Sequence, residues 1–325
     1  MPRTLLKWPL TFVAWILCAP VSAKTSQGQT QWASKIVHAS KLSVASAFAS
    51  CERGNKVFSR AYFDELVRKV SSEQEIPTQG SNGCSYKPAG YSQETQRMVL
   101  SENIVDPTPG NGTDCSGYVS GVLCRAGARL KPGSDDCGPS STEQMIKWGN
   151  SANDCFEPLQ MNATSQLQPG CLIIWRNKQS KYGHVIVVQK TGEDPFAVRS
   201  VKDCKQAPDM KSWDFQEAES LYKYGPSQWD ANARFGTKKG PDSVPLGLLH
   251  EAACKAAKSE KKRPARVSKG PWTIKVLCHK GPKKPSCMSK VARTFKDESC
   301  IFACTNAPAG QNKKPRVSAK KPVIQ

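Results

Sequence analysis

Residues 110–127, GNGTDCSGYVSGVLCRAG, place Cys115 between Asp114 and a Ser116–Gly117 pair at the mouth of a predicted helix. A cysteine in such a place can be a bridge, a metal ligand or a nucleophile. A thiol attacks as the thiolate, and the unpaired N–H groups and dipole of a helix N-terminus favour that anion. Thr113 or Asp114 would cap the helix and put Cys115 in its first turn. Ser116 and Gly117 are small enough to let a bound substrate backbone approach, and the Cys115 N–H could donate to an oxyanion. A nucleophile of this kind needs a base, and the chain has four histidines. His38 falls in an N-terminal helix, His250 beside a cysteine-bearing loop and His279 in a basic segment. His184 follows Gly183 and opens the apolar stretch GHVIVVQK, a strand that could lie beside the Cys115 helix.

The first residues, MPRTLLKWPLTFVAWILCAPVSAKT, have the form of a secretory leader. Arg3 and Lys7 precede an apolar run, and Val21-Ser22-Ala23 offers a cleavage site, so the mature chain is expected to start near Lys24, secreted or periplasmic. No later run is long enough to span a bilayer. Of 14 cysteines, Cys18 would leave with the leader and 13 would remain. In an oxidising compartment most pair as disulfides. Eight in the body (Cys51, Cys84, Cys124, Cys137, Cys155, Cys171, Cys204, Cys254) and four near the end (Cys278, Cys287, Cys300, Cys304) could form six bridges, with Cys115 left over. No C-x-x-C or H-E-x-x-H motif is present, so neither a metal nor another cofactor is expected. Cys300 and Cys304 have a loose metal-like spacing, but an oxidising compartment favours disulfides for both, with partners that the sequence does not assign.

Helices are expected over 30–51, 60–72, 92–103 and from Cys115 to a stop at Gly127, with Gly- and Pro-rich loop over 75–92. A further helix runs through SSTEQMIKW, capped by Ser140 or Ser141 with Glu143 or Gln144 placed for a reciprocal contact. Strands follow at LQPGCLIIWRN, GHVIVVQK and FAVRSV. Helices followed by strands define an α+β arrangement.

The segments TDCSGYVSGVL, PSSTEQM, LQPGCLIIW and YGHVIVVQ resemble the NlpC/P60 family of cysteine peptidases, in that family's order, over about 90 residues from Gly112 to Val201. The resemblance implies a papain-like core of helices packed on an antiparallel sheet. It makes Cys115 the nucleophile and His184 its general base, flanked by Asp114, Ser116 and Gly117, with peptidoglycan stem peptides as substrate. The family usually carries a third polar residue, commonly histidine, on the strand after the base. That strand here is FAVRSV, which has none. Alternation from Phe196 puts Val198 and Ser200 on one face, so Ser200 is assigned the orienting role, with Asp203 behind it. The family's tyrosine just before the nucleophile is absent, and its aspartate after Pro-Gly is replaced by Cys171, expected in a bridge.

Charge is concentrated at the C-terminal end. The whole chain carries +20, and residues 255–325 hold 19 Lys and Arg against 3 Asp and Glu. That asymmetry points to a polyanionic partner, such as peptidoglycan or another anionic wall polymer. Nucleic acid is disfavoured because no stacking aromatics interleave the lysines. The expected organisation is a leader over 1–23, an N-terminal helical region over 24–100 and a catalytic domain over 101–254. A basic linker over 255–269, a small disulfide-stapled β module over 270–308 and a basic tail over 309–325 complete it. The expected function is amide hydrolysis in peptidoglycan. Two alternatives are an inactive binding or adhesion protein and an acyltransferase or amidase on another substrate. The order of Cys115 before His184 favours hydrolysis over acyl transfer within the resemblance.

Overall fold

The computed structural model describes residues 27–50, 85–86, 91 and 112–289, apart from 135–139, 164–165, 223–224, 237–239 and 260. The expected leader, the helices expected over 60–72 and 92–103, the end of the expected β module over 290–308 and the basic tail lie outside the described residues.

Helix α1 (Gln27–Phe48) leads to a two-residue ladder of β1 (Ala49–Ser50) with β2 (Ser85–Tyr86). Helix α2 (Cys115–Arg125) follows, and Gly127 beyond it has a positive φ of 78°, the left-handed conformation in which glycine commonly stops a helix. Helix α3 (Thr142–Met145) is a single turn with a full capping box. Gln144 N–H donates to Ser141 Oγ, and the Gln144 side chain accepts from Ser141 N–H.

The body is an antiparallel sheet of seven strands. It contains β3 (Phe156–Pro158), β5 (Leu172–Asn177), β6 (Gly183–Thr191), β7 (Phe215–Leu221), β8 (Gly225–Asp230), β10 (Arg266–Lys269) and β11 (Trp272–His279). The order is β10-β11-β5-β6-β7-β8, with β3 also on β11. A separate short ladder joins β4 (Gln160–Met161) to β9 (Arg263–Pro264). Helices α4 (Ala231–Phe235) and α5 (Ser243–Ala257) lie between β8 and β9 in the chain.

Alternation along the strands sorts their residues into two cores. Leu172, Ile174, Val185, Val187, Ala218 and Leu277 pack with α1 and α2. Ile173, Trp175, Ile186, Val188, Ile274 and Val276 pack with α4, α5 and the loop holding Phe196 and Trp213. Strands β5 and β6, buried on both faces, are therefore almost continuously apolar.

The chain is thus α+β, as expected, and two finer expectations are corrected. First, 196–201 is not a strand. Asp194 accepts from Val198 N–H and Arg199 N–H at 3.1 and 3.0 Å, and Ala197 has φ 51°, so the segment turns while Phe196 and Val198 anchor it in the core. The strand beside β6 comes later, at β7. Second, the described part of 255–289 is neither linker nor separate module. Residues 255–257 end α5, 266–269 form β10, and 272–279 insert β11 into the sheet, pairing with β5 from Trp272 to Leu277. Bridges Cys171–Cys278 and Cys155–Cys287 fasten this segment to the body, and Cys204–Cys254 fastens α5. Cys124 is also bridged. No helix among the described residues is long and apolar enough to cross a membrane.

Candidate active site

Asp114 is the N-cap of α2, in extended conformation. It accepts from Gly117 N–H at 2.7 Å and from Ser116 Oγ at 3.0 Å. Cys115 is therefore the first helical residue, and its thiol is free and buried. Ser116 and Gly117, expected to leave room for substrate, are buried in the first turn and hold the cap. Burial raises the Asp114 pKa, and the bonds from Gly117 and Ser116 pull against it.

Neighbouring elements fix this turn. Ser220 on β7 donates to Thr113 O at 2.6 Å, tying the sheet to the residue before the cap. Ser120 donates to Ser116 O and accepts from Ser140 N–H, joining α2 to the approach to α3. Tyr118 reaches across to Ser40 on α1, and Gln189 of β6 donates to the same serine at 2.8 Å. Helix α1 thereby clamps the helix bearing Cys115 against the sheet.

His184 is the second residue of β6. Just before it, Gly183 meets α3 so closely that a Cβ there would sit 2.9 Å from Thr142 Cβ. Only glycine lets the strand start at that depth, which sets the position of His184. Cys115 lies close enough to His184 for its side chain to act on the imidazole. His184 Nε2 donates to Glu219 Oε2. The Trp175 ring packs beside the imidazole, centroids 5.1 Å apart.

Glu219, on β7, is the third polar residue. Sequence reasoning placed that role at Ser200 or Asp203. Ser200 is exposed in the turn after Phe196, and Asp203 is an exposed residue accepting from Lys205 N–H. The structure brings neither to His184. Glu219 was missed because the strand after His184 was expected at FAVRSV and none was expected at FQEAESL. The signal that could have found it is Arg234, a later cation able to hold a buried carboxylate. Arg234 Nε donates to Glu219 Oε1 at 2.5 Å, and its terminal nitrogen reaches Asp242 Oδ2 at 3.3 Å. Asp242 also accepts from Tyr182 Oη at 2.6 Å and Trp175 Nε1 at 3.0 Å.

Burial disfavours ionised groups here, and the partners reverse that bias for two of them. Burial acts to lower the His184 pKa, but Cys115 and Glu219 outweigh it and hold the imidazole well above its usual range. Burial would raise Glu219, yet Arg234 and His184 bring it down to about 2. Glu217, two residues earlier on β7 and fully buried, is pushed well up by burial and by the Glu219 charge. Burial and Asp242 raise the Tyr182 phenol, and the nearby Cys115 adds to the rise.

The other histidines stand apart from this chemistry. His38 is exposed on α1, and His250 is buried on α5 with its pKa lowered by burial. His279 closes β11 with both ring nitrogens bound to backbone. Among the described residues, no group of three or more His, Cys, Asp or Glu side chains is placed to hold a metal ion. A cavity of about 600 Å³ between α1, the 168–171 turn and the end of β11 includes none of the site side chains. A smaller one of about 150 Å³ is bounded by Arg234 and Asp242.

A buried thiol at a helix N-terminus, beside an imidazole that a carboxylate orients, can act as an activated nucleophile with its own proton acceptor. No family model matches the chain, and no curated protein or solved structure matches it.

Proposed function

We propose that the chain is a secreted cysteine amidohydrolase of NlpC/P60 type that cleaves an amide bond in peptidoglycan stem peptides. The observation that carries this reading is the cluster of Cys115, His184 and Glu219, in which His184 is hydrogen-bonded to Glu219 and the neighbouring cysteine is a free thiol amid bridged ones. The bridges fit an oxidising compartment. The basic C-terminal residues would hold the enzyme on an anionic wall polymer.

His184 accepts the Cys115 proton, and the imidazolium formed is stabilised by Glu219. The thiolate sulfur attacks the amide carbonyl carbon, and the carbonyl π pair moves onto oxygen, where N–H groups of the first turn of α2 can receive it. Collapse re-forms the carbonyl and breaks the C–N bond as His184 gives its proton to the leaving amine. Water, deprotonated by the same imidazole, then releases the acid from the thioester and restores the thiol. Glu219 orients the ring throughout and keeps its own charge.

The inactive-scaffold alternative draws on the lack of a third polar residue and of the tyrosine before the nucleophile, and the Glu219 carboxylate on His184 speaks against the first of these grounds. The test is incubation of the full chain with purified peptidoglycan, with mass spectrometry of released fragments. Native protein is expected to release peptides with new amino termini, and Cys115→Ala and His184→Ala to be slower by at least about 10³-fold. Equal release by Cys115→Ala would overturn the reading.

A further inference from the structure

Between the reactive pair and the second core lies an arginine that the proposed hydrolysis leaves without a task. We propose that Arg234 is a positioning residue: it holds Glu219 as the partner of His184 and anchors that carboxylate, through Asp242, to the start of α5 and to Tyr182. This rests on the Cys115–His184 reading above.

The geometry uses the shape of the guanidinium. Nε faces Glu219 Oε1 at 2.5 Å, and one terminal nitrogen reaches both Glu219 Oε2 at 3.5 Å and Asp242 Oδ2 at 3.3 Å. With Oε1 occupied, Oε2 is the oxygen turned to His184. The face of Phe235 backs the guanidinium, 4.9 Å from the ring centre. Asp242 in turn gathers Tyr182 and Trp175, and Trp175 packs on His184. The contacts thus run from His184, beside Cys115, through Glu219, Arg234 and Asp242 to Tyr182. The 150 Å³ cavity lies against the Arg234 and Asp242 end of this chain of contacts.

The charged and titratable groups around His184 come from several elements. They are Asp114, Cys115 and Tyr118 at α2, Tyr182 before β6, Glu217 and Glu219 on β7, Arg234 on α4 and Asp242 before α5. Among them Arg234 is the fixed cation. Without it Glu219 would take up a proton at higher pH, His184 would lose its anion, and the imidazolium that supports thiolate reactivity would be lost with it.

The test needs no substrate. The rate of iodoacetamide labelling at Cys115 is read by peptide mapping of the full, unreduced chain across mildly acidic to neutral pH. Reactivity in the native protein falls at low pH along an acid limb. Arg234→Gln is expected to move that limb to higher pH by about one unit, and Arg234→Lys, which keeps the charge, to restore most of it. Asp242→Asn is expected to move it the same way by about half a unit. A variant that only loosens the fold lowers the melting temperature and leaves the limb in place. A limb in Arg234→Gln that coincides with the native one overturns the proposal. If that variant does not fold, an unmoved limb in Asp242→Asn does so. His184→Ala separates the two levels: native labelling rates there sink the underlying Cys115–His184 reading, whereas slowed labelling with unmoved Arg234 and Asp242 variants sinks the positioning role alone.

Discussion

At the start of β6, His184 has the Glu219 carboxylate on Nε2 and the Cys115 thiol nearby. At the end of β11, His279 has the Arg129 carbonyl at 3.0 Å from Nε2 and the Gly281 N–H at 3.0 Å from Nδ1. Both rings are buried, at 7 and 2 % exposure, so burial alone would make both neutral. The partners decide otherwise. Cys115 and Glu219 raise His184, whereas His279, which must donate from one nitrogen and accept at the other, is lowered to about 4, by burial first, with the Arg129 carbonyl pulling the other way. Trp32 and Phe156 close around His279, centroids 5.3 and 5.0 Å away. One histidine is set up to carry a proton, and the other is a neutral fastener between β11 and the loop after α2.

The sharpest way to break this contrast is to remove the carboxylate behind His184. Glu219→Ala would leave both His184 and Arg234 buried without their shared anion. Urea unfolding near neutral pH is expected to show a loss of about 3–5 kcal/mol, the scale for breaking a buried pair on one side. Labelling of Cys115 should slow as well. A loss below about 1 kcal/mol, within the range of exposed pairs, would mean that His184 is neutral in the folded protein and that the two histidines are alike.

The pH dependence of stability should separate the pair next, because the slopes have opposite sign. His184 has a raised folded pKa, so its contribution is full below 6.5 and is lost as pH rises through the raised value. His279 has a folded pKa of about 4 against 6.5 when unfolded, so its contribution is full above 6.5 and is lost as pH falls towards 4. The difference corresponds to about 3 kcal/mol. His250, also lowered, adds to the acid slope, so the measurement is a comparison of His279→Gln with the native chain. The variant should lose much of the native fall in stability over that window. Identical slopes would place the acid sensitivity elsewhere.

The same contrast explains what the sequence disclosed. Cys115 and His184 were legible because each sits at the first turn of its element, marked by Asp114 and by Gly183. The capping box at Ser141 and the apolar runs of β5 and β6 were legible for a similar reason, since local pattern decides them. Glu219 was hidden because its burial depends on Arg234, fifteen residues away in the chain. The insertion of β11 beside β5 was hidden too. Its alternation is that of any half-buried strand, and the partners that identify it, Cys171 for Cys278 and Cys155 for Cys287, are 107 and 132 residues away. Pro195 and Asp194, which turn 196–201 out of the sheet, were in view but outweighed by the β-forming residues that follow them. Propensity yields there to a side chain that takes up the backbone N–H groups.

The smallest expected effect tests the claim that charge at this site is assigned group by group. Glu217 and Glu219 lie two positions apart on one strand and share its face, yet only Glu219 has cationic partners within reach of its oxygens. The Glu217 oxygens are buried without a hydrogen-bond partner of their own. A carboxyl whose folded pKa lies above its unfolded value of 4.5 destabilises the fold at neutral pH, because folding must take up a proton there. Glu217→Gln removes that burden while keeping the shape of the side chain. It should raise the melting temperature slightly at neutral pH, and the gain should shrink to nothing as the pH falls below the usual carboxylate range. Peptidoglycan release should stay within about twofold of native, since the protonated acid orients nothing in the proposed reaction. A variant that melts lower at neutral pH would instead show that Glu217 is ionised, with Arg234 divided between two carboxylates and His184 less firmly held than the contrast with His279 requires.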